Sequence, residues 1–172
     1  MGICYSCLIN RQLKKTNNDI PFFSLNGKTF HVKVVDVYDG DTCSVVLLFK
    51  NRFTKFRVRC AGYDSPEMKP LKSESERDTI IVNACKARNF FAHRTTNCDI
   101  DIDSQMSKKE MRELVKSNTK IIQMKCDGWD KYGRLLGHFY VNNIYINEEM
   151  IIRNYGYRYN GGTKQIIQNN HI

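Results

Sequence analysis

No run in this chain is long and apolar enough to span a bilayer, which takes about 20 consecutive apolar residues. The N-terminus lacks a basic leading stretch and a long apolar core, so no secretory signal peptide is expected. There are no internal repeats, which sets aside solenoids and propellers. The four histidines, His31, His93, His138 and His171, are isolated and form no ligand pair. The seven cysteines are odd in number and irregular in spacing, so they outline no disulfide framework. Cys4 and Cys7 make the single C-x-x-C, with no second pair at zinc spacing. Cys43, Cys60, Cys85 and Cys126 stand among apolar residues, where a free thiol acts as a small hydrophobe. A reducing, intracellular compartment is the expectation.

Positive charge is plentiful. Lys and Arg number 27 against 18 Asp and Glu, a formal charge of +9 over 172 residues. Such an excess favours a polyanion, nucleic acid or an anionic membrane surface, although a merely solvated basic surface has the same signature. The length suits one compact domain with some extra sequence.

Residues 1–27 read as a flexible arm: MGICYSC, then NRQLKKTNND, then IPFFSLNG. Strands follow. HVKVVDV and CSVVLLF are β-rich, and TKFRVRC alternates, with Phe56, Val58 and Cys60 on one face and Lys55, Arg57 and Arg59 on the other. KNRF is a hairpin turn that would pair positions summing to about 103, setting Asp41 opposite residue 62. Ser73 and Glu76 fit a capping box for a helix with an apolar stripe of Ile81, Ala84, Cys85, Phe91 and Ala92. SKKEMRELVKSN reads as a short charged helix on an exposed insertion. TKIIQMKC and RLLGHFYV are strands around the turn-rich DGWDKYG, and NEEMIIRNYG is a helix that stops at Gly156. Trp129 and the pairs Phe22–Phe23 and Phe90–Phe91 read as packing rather than base-stacking platforms. The fold class is α+β, a five-stranded OB-type barrel with two or three helices.

Asp41 in VYDGDT ends the first strand, and Asp64 in AGYDSPE follows the third. The hairpin should bring both to one end of the barrel. Two carboxylates there need a cation, a proton or an arginine, and hard oxygen ligands suit Ca²⁺ or Mg²⁺. Asp, Gly, Ser and Pro are also ordinary turn residues, so each motif alone is weak. Arg59 ends a strand at the same rim, and Glu67 stands three residues after Asp64. A cation, a free carboxylate and a guanidinium at one rim are the parts of a phosphodiester hydrolase.

VVDVYDGDT, RCAGYDSPE and DKYGRLLG occur in an order that resembles the staphylococcal nuclease family, from about Lys28 to Lys164. The resemblance implies an OB-type barrel and a calcium-dependent endonuclease acting on DNA or RNA and leaving 3′-phosphate ends. It places Asp41, Asp64 and the Ser65 carbonyl on the metal. It makes Arg59 and Arg134 the catalytic arginines and Glu67 the general base. Lys131 and Tyr132 would lie near the nucleotide phosphate, and Tyr159 would line the nucleotide pocket. Residues 97–118 are inserted relative to the bacterial enzyme, Cys43 replaces an aliphatic residue, and a C-terminal helix is expected to be missing, leaving 165–172 as a polar tail. The rival is a non-catalytic nucleic-acid-binding OB-type module, which would lack the metal aspartates or the base. A membrane adaptor with a basic face explains neither the carboxylate pair nor Glu67. The enzyme is expected to be a monomer without an obligate protein partner.

MGICYS also fits an N-myristoylation signal in a eukaryotic cell, with Gly2 as acceptor and Cys4 and Cys7 placed for palmitate. Lys14 and Lys15 would add attraction to anionic lipid, giving a cytosol-facing membrane location.

Overall fold

A computed structural model describes residues 5–159. Its centre is a barrel of five strands: β1 (Thr29–Val37), β2 (Thr42–Phe49), β3 (Arg52–Cys60), β5 (Ile122–Trp129) and β6 (Leu135–Val141). They are hydrogen-bonded in the order β3-β2-β1-β5-β6, and a parallel pairing of β3 with β6 closes the ring. The expected OB-type α+β architecture is therefore present. Period-two alternation builds it: β6 reads buried at Leu135, Gly137, Phe139 and Val141, with the intervening positions half-exposed. Closure needs a small residue, because a Cβ at Gly137 would stand 2.8 Å from Val58 Cγ1 and 3.0 Å from Met124 Sδ.

The β2–β3 hairpin is tighter than the sequence reading. Lys50 and Asn51 both have positive φ, 47° and 63°, the backbone of a two-residue turn that matches strand twist. Arg52 and Phe53 therefore belong to the strand. Thr42 faces Arg59 and Phe49 faces Arg52, so paired numbers sum to 101 rather than 103. Asp41 then lies against Cys60, whose N–H donates to the Asp41 carbonyl at 2.7 Å.

Two short strands, β4 (Tyr63–Asp64) and β8 (Tyr157–Arg158), pair with each other beside the barrel. A further two-residue strand, β7 (Ile144–Tyr145), pairs with β6. The described residues also form four helices: α1 (Tyr5–Leu13), α2 (Arg77–Thr95), α3 (Lys108–Lys116) and α4 (Ile146–Ile152). The expected capping box at Ser73 and Glu76 is absent. Residues 71–76 are exposed, and α2 starts at Arg77 with no side-chain cap. A capping box forms instead at α3, where Ser107 Oγ accepts from Glu110 N at 3.2 Å and Glu110 Oε2 accepts from Ser107 N at 2.7 Å. The helix of NEEMIIRNYG ends at Ile152, before Gly156, because Asn154 takes the left-handed conformation with φ 59°.

Residues 97–118 are more than an exposed loop. Met111 and Val115 of α3 are fully buried in the core. Asn118 donates from Nδ2 to the Val34 carbonyl of β1 at 2.8 Å. Buried Asn89 of α2 donates to the carbonyls of Asp101, Ile102 and Ser104, and buried Arg88 donates to that of Met106. The N-terminal arm also has structure. Residues 5–13 are helical with none buried, whereas Leu25 is buried in the core and Phe23 meets Phe49 edge-on. Phe90 and Phe91 pack as expected; Phe22 is fully exposed, and Trp129 is half-covered against Phe56.

Candidate active site

The β1–β2 turn is built by its own side chains. Asp39 Oδ1 accepts from Asp41 N at 3.1 Å, an Asx turn that points Asp41 inward. Gly40 fits where nothing larger would, since a Cβ there would stand 2.8 Å from both Ala87 Cβ and Ser65 Cβ. Tyr63, buried in the core, donates from its hydroxyl to the Gly40 carbonyl at 2.6 Å. Burial pushes the Tyr63 phenol well above its ordinary range, so it remains a donor. The turn is thus pinned to the loop that carries Asp64 and Ser65.

The two carboxylates share one cation. Arg59 donates from Nη1 to Asp41 Oδ1 at 3.1 Å and from Nη2 to Asp64 Oδ1 at 2.7 Å. Asp41 and Asp64 are only 3 % and 2 % exposed. Ser65 N donates to Asp41 Oδ2 at 3.1 Å, and the Tyr157 hydroxyl donates to Asp64 Oδ2 at 2.9 Å. Burial, followed by the charge of Asp39, holds the Asp41 carboxyl well above its usual range despite the attraction of Arg59. Burial would lower Arg59, but Asp41 and Asp64 more than reverse this and raise it above its ordinary value. With both carboxylates ionised, two negative charges face the one Arg59 guanidinium.

That imbalance fits a hard divalent cation. Among the described residues no group of three or more His, Cys, Asp and Glu could hold a metal ion. Asp41 and Asp64 would have to be supplemented by carbonyl and water oxygens, a donor set that hard cations accept. The Ser65 N–H bond to Asp41 holds Ser65 beside the two carboxylates.

Barrel closure brings in the second arginine. In the parallel pairing Val58 faces Leu135 and Arg59 faces Leu136, so Arg134 enters the rim beside the basic face of β3. Asp130 orients it. Its Oδ1 accepts from Arg134 N at 2.8 Å and from Tyr132 N at 2.9 Å, while its Oδ2 accepts from Arg134 Nε at 2.6 Å. Burial works against the Asp130 carboxylate, but these bonds outweigh it and hold the group below its usual range. Arg134 Nη1 then reaches Thr42 Oγ1 at 3.4 Å, and the Thr42 hydroxyl donates to Asp41 Oδ1 at 2.8 Å. Arg134, Thr42, Asp41, Arg59 and Asp64 form one continuous polar chain.

A family model for staphylococcal nuclease homologues matches residues 57–160. The chain belongs to the staphylococcal nuclease family. The match takes in Arg59, Asp64, Glu67, Arg134 and Tyr159, whereas Asp41 lies before it and is joined to them by the contacts above. No curated protein matches the chain.

Among the residues singled out from sequence, Asp41, Asp64, Ser65, Arg59 and Arg134 come together. Tyr159 joins them, with its ring 5.8 Å from the Arg59 guanidinium, carried there by the β4–β8 pairing and a bond from its N–H to the Gly62 carbonyl. Glu67 is exposed on the loop after Ser65. Tyr132 is exposed, with its ring 5.5 Å from the Arg134 guanidinium and 5.1 Å from Lys131 Nζ. Gly2 and Cys4 lie outside the described residues, and Cys7 is exposed on α1. Sequence reasoning missed Thr42, Tyr63, Asp130 and Tyr157. Asp130 stands at i−4 to Arg134 in a loop opened by an Asx turn, which was a readable signal; Tyr63 and Tyr157 act through the fold and left none.

Proposed function

We propose that this protein is a divalent-cation-dependent nuclease, with calcium as its cation, that hydrolyses phosphodiester bonds in DNA or RNA and leaves 3′-phosphate ends. The observation that supports this most strongly is the bridging of Asp41 and Asp64 by Arg59, with Arg134 tied through Thr42 to the same Asp41. Asp41, Asp64 and the Ser65 carbonyl would hold the cation, which supplies charge neutralisation at a non-bridging phosphate oxygen. Glu67 takes a proton from the attacking water as its oxygen bonds to phosphorus. The bond from phosphorus to the 5′-oxygen breaks, and that oxygen leaves as a hydroxyl on taking up a proton from solvent water. Arg59 and Arg134 donate to the phosphoryl oxygens, where negative charge crowds in the transition state. Lys131, Tyr132 and Tyr159 hold the nucleotide beside them.

The assay is digestion of labelled single- and double-stranded DNA and RNA with calcium and with chelator. Calcium-dependent cleavage to 3′-phosphate ends is expected. Binding without cleavage under both conditions would make the chain a nucleic-acid-binding module instead, and full activity in excess chelator would remove the cation from the mechanism. We further propose a monomer held on the cytosolic side of a membrane by acylation of Gly2, Cys4 and Cys7.

A further inference from the structure

The insertion carries two cations to the edge of the candidate active site. A recess of about 260 Å³ runs between α3 and the outer faces of β1, β2 and β3, and Asp39, Thr42 and Arg134 of the site line one end of it. Tyr38, Asp36 and, from α3, Lys108 and Arg112 line the rest of it. Arg57 of β3 lines it on the Arg134 side. The strand register explains the layout: Asp36 faces Ser44 and Ser44 faces Arg57, a row across three strands that spans about 10 Å. A second, open recess of about 410 Å³, lined by Arg57, Tyr132, Gly133 and Arg134, continues on the other side. Arg57 and Arg134 line both, so the two recesses adjoin.

Four cations, Arg57, Lys108, Arg112 and Arg134, line the inner recess against two acids, Asp36 and Asp39. Asp36 is engaged by Arg112 at 2.9 Å, and Asp39 is engaged by the backbone of its own turn. Lys108 Nζ lies 3.9 Å from the centre of the Tyr38 ring, and Tyr38 is 42 % exposed. At the opposite end Tyr132 is 72 % exposed. A cationic track with an exposed aromatic ring at each end matches how single strands are gripped: phosphates on guanidinium and ammonium groups, unpaired bases on ring faces. A duplex, with its bases paired and stacked, offers nothing for Tyr38 to stack on.

We propose that α3 extends the substrate groove of the nuclease, with Lys108 and Arg112 holding phosphates and Tyr38 a base of a single-stranded nucleic acid beyond the cleavage site. This rests on the nuclease reading for the position of the scissile bond, but strand binding by the track can be measured without cleavage. The buried anchors of α3, Met111 and Val115, make it a fixed wall of the groove rather than a loose loop.

The test is fluorescence anisotropy of a labelled 20-nucleotide oligo(dT) in chelator, alongside a dinucleotide and a 20-base-pair duplex. Lys108→Ala with Arg112→Ala, both surface changes, is expected to weaken oligo(dT) binding about tenfold and to reduce the salt slope by about 1.4, the loss of two phosphate contacts. Dinucleotide binding is expected to stay the same. Tyr38→Ala is expected to weaken oligo(dT) about fivefold or more without changing the salt slope. Lys108→Arg with Arg112→Lys is expected to restore binding, which separates charge from folding. Equal oligo(dT) affinity in wild type and the double alanine variant would overturn the proposal, and so would equal losses on oligo(dT) and dinucleotide. An equal loss on the duplex would overturn the single-strand assignment. Wild type that binds oligo(dT) as described but cuts neither DNA nor RNA with calcium would remove the nuclease reading and leave the track standing.

Discussion

Arg134 Nη1 lies 3.4 Å from the hydroxyl of Thr42, and that hydroxyl is already committed as a donor to Asp41. One small side chain thus aligns a candidate transition-state arginine with a candidate metal ligand. Neither Arg134 nor Asp41 could shift without disturbing the other, which is what a pre-organised phosphoryl site requires.

Thr42→Val keeps the shape and removes the hydroxyl. Substitutions that unseat a ligand's hydrogen-bond partner cost about 10- to 100-fold in metal affinity or activity. The calcium concentration for half-maximal cleavage is expected to rise about tenfold and kcat to fall by a similar factor. An unchanged calcium titration would show that Thr42 does not position Asp41.

Glu67→Gln is expected to lower kcat about a hundredfold or more, because the amide accepts no proton from water. Arg59→Ala and Arg134→Ala are expected to do the same through lost charge stabilisation. All three are to be compared at saturating calcium with circular dichroism as the folding control. A folded Glu67→Gln protein that turns over at the wild-type rate would exclude Glu67 as the base.

Arg59 has a second role that separates it from Arg134. It is the shared partner of two buried carboxylates, and removing one side of such a pair costs about 3 kcal/mol. Arg59→Ala is therefore expected to melt several degrees lower in chelator, and calcium should raise its melting temperature more than it raises that of wild type. Arg134 is paired with Asp130 nearer the surface, so Arg134→Ala should lose far less stability. Equal melting temperatures for the two variants would contradict this division.

The barrel was legible because its strands alternate cleanly and its hairpin turn is local. TKFRVRC showed both the buried face of Val58 and Cys60 and the basic face that carries Arg59. Asp41, Asp64 and Arg59 were legible because a hairpin brings them together within 25 residues. The two-residue register error came from counting Arg52 and Phe53 as turn, when left-handed φ at Lys50 and Asn51 closes the turn in half the length. The role of residues 97–118 was hidden by charge. SKKEMRELVKSN looks solvated, and its two buried apolar residues, Met111 and Val115, lie four apart on a single narrow stripe. Met111→Ala is accordingly expected to destabilise the whole domain by about 2–5 kcal/mol in a denaturant titration, a loss no exposed insertion would show.

The proposed membrane location depends on the arm. Gly2 is the residue whose free amine can accept myristate once Met1 is removed, and one such chain gives only marginal binding, about 10⁴ M⁻¹. A second hold is needed. Cys4 and Cys7 supply it if palmitoylated, and Cys7 is exposed on α1. The helix adds a third: Tyr5, Leu8, Ile9 and Leu13 recur at helical spacing and are all exposed, while Arg11, Lys14 and Lys15 follow on the polar side and beyond its end. In a eukaryotic host Gly2→Ala is expected to move the protein into the soluble fraction, because palmitoylation follows the first membrane contact. Cys4→Ser with Cys7→Ser is expected to do so partly, since α1 and the myristoyl chain remain. Leu8→Ser with Ile9→Ser should add to the cysteine changes. Nuclease activity in solution should be the same for all of them, because no residue of α1 is buried against the barrel. Identical fractionation of wild type and Gly2→Ala would mean that MGICYS is a chance match and that α1 faces water.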